Sequence, residues 1–307
     1  MNQAMTDQVN PKDYPGKDVY AVIGNPIAHS KSPLIHEVFA KQTNQAIHYG
    51  RIFSELNEFK KTTLEFFECG GKGLNVTIPF KLQAYELAQH KTPRAQSAKA
   101  ANMLWVENGQ WWCDNSDGEG LTRDLRRLFK ERGASLNGIH VLILGAGGAA
   151  QGVIEPLMGA GVAGISIANR THDKATALVQ QFSDVATEVK ITLKAVSLAE
   201  LADHHHHSHA SYDLIINATA TGLSDASPIS KDVLKAIIHP NTLAYDMVYG
   251  KDTCFMQDAK ALGITAVDGL GMLVEQAALA FETWRKLDLQ KTPLDINGAI
   301  AAVRASY

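Results

Sequence analysis

The run Val141-Leu142-Ile143-Leu144 passes directly into Gly145-Ala146-Gly147-Gly148-Ala149-Ala150, and this junction constrains the fold more than any other stretch of the chain. An apolar strand that turns through glycines into a helix, with Val153, Ile154 and Leu157 on one helical face, reads as the opening of a βα series. The spacing fits G-x-G-x-x-A, in which glycines let backbone N–H groups and a helix N-terminus approach a pyrophosphate. Taken alone, the same glycines also suit close packing of helix on sheet, and the position between strand and helix is what favours the phosphate reading. Pro156 inside that helix is expected to kink it.

The same alternation extends through the chain. Strands are expected at residues 19–24, 48–53, 73–78, 164–168, 213–217, 243–247 and 265–267, separated by helical or irregular stretches. Ser32-Pro33 reads as an N-cap followed by proline at the first helical position, ahead of Leu34, Ile35, Val38 and Phe39. Further amphipathic helices are expected over residues 56–69 and from Gly120 through Phe129, with a last apolar helix over residues 272–287. Residues 101–106 and 110–113 flank Asn108-Gly109, a hairpin turn. Short strands between helices predict largely parallel sheets covered on both faces. With 307 residues and 45% hydrophobic content the chain is expected to form two domains. Residues 1–17 are expected to be a mobile tail, being polar with Pro11, Pro15 and Gly16.

Composition excludes some partners. Lys plus Arg number 29 against 32 for Asp plus Glu, so a net charge of -3 gives a polyanion no footprint and nucleic acid is not expected. No stretch approaches the roughly 18 apolar residues of a membrane span, and the N-terminus lacks the apolar core of a secretion signal. Cys69, Cys113 and Cys254 lack metal or redox spacing and read as free thiols of a cytoplasmic protein. His204 to His207 and His209 are dense enough to bind a metal, but no cysteine or spaced carboxylate accompanies them, and a surface loop is expected with no metal site.

Three polar islands carry the chemistry: residues 25–33 (N-P-I-A-H-S-K-S-P), residues 75–81 (N-V-T-I-P-F-K) and residues 114–118 (D-N-S-D-G). In the second, alternation sends Asn75 and Thr77 to one face and Val76 and Ile78 to the other, before Pro79 stops the strand and Lys81 begins a helix or loop. By itself that lysine reads better as a snorkelling surface residue, since lysines near strand ends are common and mostly solvated. Together the islands resemble the shikimate dehydrogenase family, whose motifs N-P-I-x-H-S-x-S-P, N-V-T-x-P-x-K, A-x-N-x-L and D-N-x-D-G occur here in the same order, and the resemblance runs from about Asp18 to the C-terminal helix.

The resemblance implies an α/β fold of two domains. A mixed, mostly parallel substrate domain would span residues 18–117 plus 271–307, a Rossmann-type NADP-binding domain residues 118–270, and the active site would lie in the cleft between them. It implies reversible NADPH-dependent reduction of 3-dehydroshikimate to shikimate by a monomer or homodimer. Substrate contacts would come from Ser30, Ser32, Asn75, Thr77, Lys81, Asn102, Asp117, Tyr249 and Gln276. Hydride transfer to a ketone builds charge on oxygen, for which Lys81 is the catalytic candidate, oriented by Asp117. Cofactor contacts would come from Gly145, Ala146, Gly147, Gly148, Ala149, Asn169, Arg170, Thr171, Lys174, Thr219, Met247 and Gly269. For Met247, simple core packing is an equal reading.

An NAD-selective unit carries an acid about 20 residues beyond the first glycine. Here the strand ends in Asn169-Arg170-Thr171, and Arg170 with Lys174 suits the 2′-phosphate of NADP. The chain departs from the family pattern at Ser116 and Met103, each in place of threonine, at Pro93 in place of an acid, and at Lys174 where arginine is frequent. The alternatives are a quinate/shikimate dehydrogenase using NAD and a non-catalytic metabolite sensor, and intact Lys81 and Asp117 argue against the sensor.

Overall fold

Alternating strand and helix signals condense into two six-stranded sheets in a computed structural model of the chain, which describes residues 8–203, 211–224, 226–288 and 291–307. The chain divides into one unit of Met1–Gly120 with Val274–Tyr307 and a second of Leu121–Leu273.

In the first unit, β1 (Asp18–Gly24) is buried along nearly its whole length, as a central strand covered on both faces must be. It pairs in parallel with β2 (Ile47–Phe53) and β3 (Gly73–Val76). Helix α1 (Ser32–Gln42) links β1 to β2, and α2 (Phe59–Glu68) links β2 to β3. After α3 (Lys81–Leu87), the two-residue β4 (His90–Lys91) and α4 (Pro93–Ala98), strands β5 (Met103–Glu107) and β6 (Gln110–Asp114) form the expected hairpin. Asn108 and Gly109 both take positive φ, at 52° and 75°, as a tight hairpin turn requires. Strand β5 runs antiparallel to β3, giving the order β2-β1-β3-β5-β6-β4. Val19, Ala21, Ile23, Leu74, Phe80 and Leu104 belong to its principal core.

Helix α5 (Asp117–Glu131) carries the chain into the second unit. There β7 (His140–Leu144), α6 (Gly148–Gly159), β8 (Gly164–Ala168), α7 (His172–Glu188) and β9 (Thr192–Val196) follow in turn. Next come α8 (Leu198–Ala202), β10 (Leu214–Asn217), α9 (Lys231–Ala236), β11 (Leu243–Asp246), α10 (Cys254–Ala261) and β12 (Thr265–Asp268). Every pairing in this sheet is parallel, in the order β12-β11-β10-β7-β8-β9. Counted from β7 the order is that of a doubly wound Rossmann sheet, with its direction reversing between β7 and β10. Helix α6 runs through Pro156 without interruption.

Helix α11 (Leu270–Arg285) returns the chain to the first unit, and α12 (Ile296–Arg304), for which the sequence reading has no counterpart, follows it and packs on α1. Among the described residues no helix is long and apolar enough to cross a membrane.

Two expectations are corrected. Residues 8–17 are not a loose tail: Asn10 caps a 3₁₀ turn at Pro11–Asp13, Gln8 bridges to Arg51, and Tyr14 stacks on His48 with ring centroids 3.5 Å apart. Val9, which lies against Gly50, and Tyr14 supply the apolar contacts that hold this segment along the outer strand β2, whose edge would otherwise be unpaired, and Pro11 is buried. Residues 1–7 and the histidines of 204–209 lie outside the described residues. Ser32 is not the cap of α1 but its first residue; Lys31 holds the cap position without a side-chain cap, and the Ser32 N–H donates to Ser30 Oγ at 3.3 Å.

Candidate active site

The three polar islands meet at one edge of the first sheet because of strand direction. The loops after β1 and β3 leave from the carboxyl ends of parallel strands, while Asn102 precedes β5 and Asn115 follows β6, whose antiparallel courses bring them to that same edge. Backbone bonds knit the first two loops together, Thr77 N donating to Ile23 O at 3.0 Å and Asn25 N to Ile78 O at 3.1 Å.

Lys81 opens α3, and its Nζ donates to Asp117 Oδ2 at 2.5 Å, with the two side chains 33% and 24% exposed. The pair is therefore partly open to a ligand. The other Asp117 oxygen accepts from Asn102 Nδ2 at 2.8 Å, and its backbone N–H is held by Asn115 Oδ1 at 3.1 Å. Asn102 is buried, and its oxygen accepts from Ser116 N at 2.8 Å. Its Nδ2 also reaches Ser116 Oγ at 2.9 Å and Gln276 Oε1, on α11, at 3.3 Å. The Ser116 hydroxyl thus does what a threonine hydroxyl would do there. Asn75 Nδ2 donates to Asn102 O at 3.2 Å, which joins β3 to the same set.

Ser30 and Ser32 stand at the start of α1, where their hydroxyls and the helix N-terminus suit an anion. Arg51 on β2 fixes this corner by donating Nε and Nη2 to Ser30 O at 3.2 and 2.7 Å. Met103 is fully buried in β5 opposite Asn75, and Pro93 opens α4 behind the Thr92 cap. Tyr249 belongs to the second unit, where it follows β11.

In the second unit the glycine turn is built as the sequence implies. Gly145 takes φ +113° and crosses the start of the β10 loop so closely that a Cβ would lie 3.1 Å from both Ala218 O and Thr219 Cγ2. Gly147 is the N-cap of α6 without a side-chain cap, and a Cβ on Gly147 or Gly148 would meet nothing within 4 Å. Protein packing therefore does not demand glycine at those two positions, whereas a phosphate approaching the backbone does. Gly145 N donates to Ala168 O at 2.7 Å, which sets the turn beside the end of β8. There Asn169 Nδ2 donates to Thr171 O at 2.9 Å, while Arg170, Thr171 and Lys174 are exposed. These residues fit a dinucleotide carrying a 2′-phosphate.

Thr219 Oγ1 donates to Asn217 Oδ1 at 2.7 Å, and Met247 N donates to Asn217 O at 3.0 Å. Gly269 lies against Met247, whose carbonyl oxygen would be 2.4 Å from any Cβ placed there. Thr219, Met247 and Gly269 thus gather at the ends of β10, β11 and β12.

Known proteins match the chain along most of its length. A family model described as the shikimate dehydrogenase substrate binding domain matches residues 22–104, and one described as shikimate / quinate 5-dehydrogenase matches residues 127–238. A shikimate dehydrogenase (NADP(+)) of Janthinobacterium sp. (strain Marseille) is 48% identical over 272 residues, covering 88% of this chain and 93% of that protein. The chain belongs to the shikimate dehydrogenase family. A Methylobacillus flagellatus protein of the same name is 43% identical over 291 residues, covering 94% of this chain and 100% of its own. A Thermus thermophilus shikimate 5-dehydrogenase, solved in complex with NADP(H) and shikimate, superimposes with a TM-score of 0.77 at 31% identity, covering 94% of this chain and 100% of that one.

In this shikimate dehydrogenase family member, two polar residues tied into the candidate sites are missing from the sequence reading. Tyr49 OH donates to Asn75 Oδ1 at 2.6 Å, and Asp246 is wholly buried, accepting from Asn217 Nδ2 at 2.9 Å and Thr253 Oγ1 at 2.7 Å. For Asp246 the available signal was a polar side chain at the end of an otherwise apolar, buried strand.

Tyr49 in turn stacks on His36, with centroids 4.0 Å apart and planes 8° from parallel. His36 is fully buried with neither ring nitrogen hydrogen-bonded among the described residues, and burial lowers its pKa to about 3, the nearby Asn75 amide opposing. An unfolded histidine titrates near 6.5, so below that pH the unfolded chain binds a proton that the folded chain refuses until about pH 3. Stability is therefore lost as pH falls through this window, by ~2 kcal/mol at pH 5 from this group. His36→Phe should flatten the fall in unfolding free energy between pH 7 and pH 5 by that amount in urea titrations; an unchanged slope would show that His36 protonates in place.

Proposed function

We propose that this chain is an NADP-dependent oxidoreductase acting on a CH–OH group, and that it reversibly reduces 3-dehydroshikimate to shikimate. The observation that carries the reading is the Lys81 ammonium held on Asp117 and backed by Asn102 and Gln276, at an edge where Ser30, Ser32, Asn75 and Thr77 also end. A ring carrying a carboxylate and several hydroxyls needs donors for the anion and mixed partners for the hydroxyls. Ser30 and Ser32 supply the first, and Asn75, Thr77, Asn102, Asp117 and Gln276 the second, with Tyr249 added from the later motif.

Bound NADPH supplies the hydride. Gly145, Ala146, Gly147, Gly148 and Ala149 would hold the pyrophosphate, Asn169, Arg170, Thr171 and Lys174 the adenosine phosphate, and Thr219, Met247 and Gly269 would line the nicotinamide end. Lys81 Nζ directs one proton at Asp117 and keeps two for the substrate oxygen on which charge develops. Asp117 directs that ammonium and accepts from a neighbouring substrate hydroxyl. The thiols Cys69, Cys113 and Cys254, all free, support a reducing, cytoplasmic setting.

The deciding experiment is nicotinamide absorbance on mixing the protein with shikimate and NADP⁺; no change would end the reading. Lys81→Ala should fold normally and bind shikimate with modest loss, while kcat falls by about 10²–10³, the usual cost of one oxyanion donor. Near wild-type turnover would remove Lys81 from the mechanism. NADP should be preferred over NAD by about tenfold or more, since one charge-assisted contact from Arg170 is worth at least ~1.4 kcal/mol. Arg170→Asp should collapse that ratio in kcat/KM, and an unchanged ratio would leave Arg170 a solvated cation and bring the quinate/shikimate reading forward.

A further inference from the structure

Strand β2 carries Tyr49 and Arg51 two residues apart, so alternation projects both to one face. That face meets the candidate substrate residues at two points, Arg51 on the Ser30 carbonyl and Tyr49 on the Asn75 amide. Tyr49 is the more consequential of the two, because it acts on a side chain rather than on a backbone oxygen.

A primary amide can turn end for end in its socket unless its neighbours differ in kind. Asn75 has a hydroxyl donor on one side, Tyr49 OH at 2.6 Å from Oδ1, and a carbonyl acceptor on the other, Asn102 O at 3.2 Å from Nδ2. Reversal would set the amide oxygen against the Asn102 carbonyl and lose that bond, while the Tyr49 hydroxyl would have to turn from donor to acceptor. One N–H and one lone pair of Asn75 remain, and their directions are fixed. The phenol is buried among His36, Asn75 and Ser32, which explains why its pKa lies well above the ordinary value: burial raises it, and the Ser32 hydroxyl and Arg51 charge oppose. The hydroxyl thus remains a neutral donor across the working pH range. Phenylalanine would fill the same space and stack on His36 equally well, so packing alone does not call for the oxygen.

We propose that Tyr49 is a positioning residue for the substrate, its hydroxyl holding Asn75 in the single orientation that presents one N–H and one lone pair to a ring hydroxyl of the bound polyol. The inference rests on the proposed reading of Asn75 as a substrate contact. Without the hydroxyl, Asn75 Oδ1 is buried without its donor and the amide is held at its Nδ2 end alone, so it can swing out of line with the ligand.

The test is steady-state kinetics and shikimate binding of Tyr49→Phe, Asn75→Ala and the double variant in the full chain. Wild-type turnover of shikimate with NADP⁺ comes first, and its absence would sink the proposed function rather than this inference. With an active wild type, Tyr49→Phe should raise KM and Kd for shikimate about tenfold, with kcat within about threefold and KM for NADP⁺ unchanged. On the Asn75→Ala background the same substitution should change shikimate Kd by less than about twofold, because the amide through which it acts is gone. Unchanged shikimate affinity in Tyr49→Phe, or an effect that persists undiminished on Asn75→Ala, overturns the proposal. So does a Tyr49→Phe protein that fails to fold, or one whose NADP⁺ and shikimate constants move together, since either makes the hydroxyl a stability group.

Discussion

One carboxylate organises the first unit. Asp117 has two oxygens with different tasks, Oδ2 taking the Lys81 ammonium and Oδ1 the Asn102 amide, while Asn115 holds its backbone. The Lys81–Asp117 pair is open enough to water that its contribution to stability is small. Its value is geometric: a four-carbon lysine stem ordinarily samples many rotamers, and a fixed carboxylate restricts it to a narrow cone before any ligand arrives. The fixing has to come from elsewhere. It comes from Asn102, whose own oxygen is occupied by Ser116 N and whose nitrogen is shared among Ser116, Asp117 and Gln276, so neither end of that amide is free to turn.

The second unit uses the same device in a buried form. Asp246 is fully buried, yet its oxygens accept from Asn217 Nδ2, Thr253 Oγ1 and the Val248 N–H, three neutral donors in place of a counter-ion. A carboxylate buried in this way is tolerable only when its lone pairs are so satisfied. What it contributes is orientation. Asn217, held by Asp246, presents its oxygen to both Thr219 N and Thr219 Oγ1, and its backbone carbonyl receives Met247 N. Both units pair an asparagine with a carboxylate, but the order is reversed: Asn102 fixes Asp117, which orients Lys81, whereas Asp246 fixes Asn217, which holds Thr219.

Much of this was legible in the sequence where local signals and global fold agree. The central strands β1, β7, β8, β10 and β11 are largely apolar runs, and the Asn108-Gly109 turn and the Gly145 turn need φ values that few residues supply. The order of the polar islands matched one family. What escaped was decided by distant contacts. Strand β9 is an edge whose residues alternate in exposure, with Thr192 and Lys194 exposed, and β4 is two residues long. The segment at residues 8–17 is polar by composition and is held by Val9 and Tyr14 docking on a strand remote in sequence, as the 45-residue separation between Gln8 and Phe53 illustrates. Tyr49 and Asp246 read as ordinary strand residues, because hydrogen bonds between side chains of different strands leave no periodic trace.

Met103 shows why reaction type is easier to read than the details around it. From the sequence, a thioether in place of a threonine hydroxyl beside Asn102 takes a polar group away from the site. In the fold, Asn102 already has its amide oxygen and nitrogen engaged by Ser116, Asp117 and Gln276, and a hydroxyl at position 103 is not needed to hold it. Adjacent residues of an extended chain project to opposite faces, and Met103 is wholly buried while Asn102 meets Asp117. The substitution therefore exchanges a buried hydroxyl, which would itself require a partner, for an apolar side chain that requires none, and the polar set around Lys81 stays complete without it.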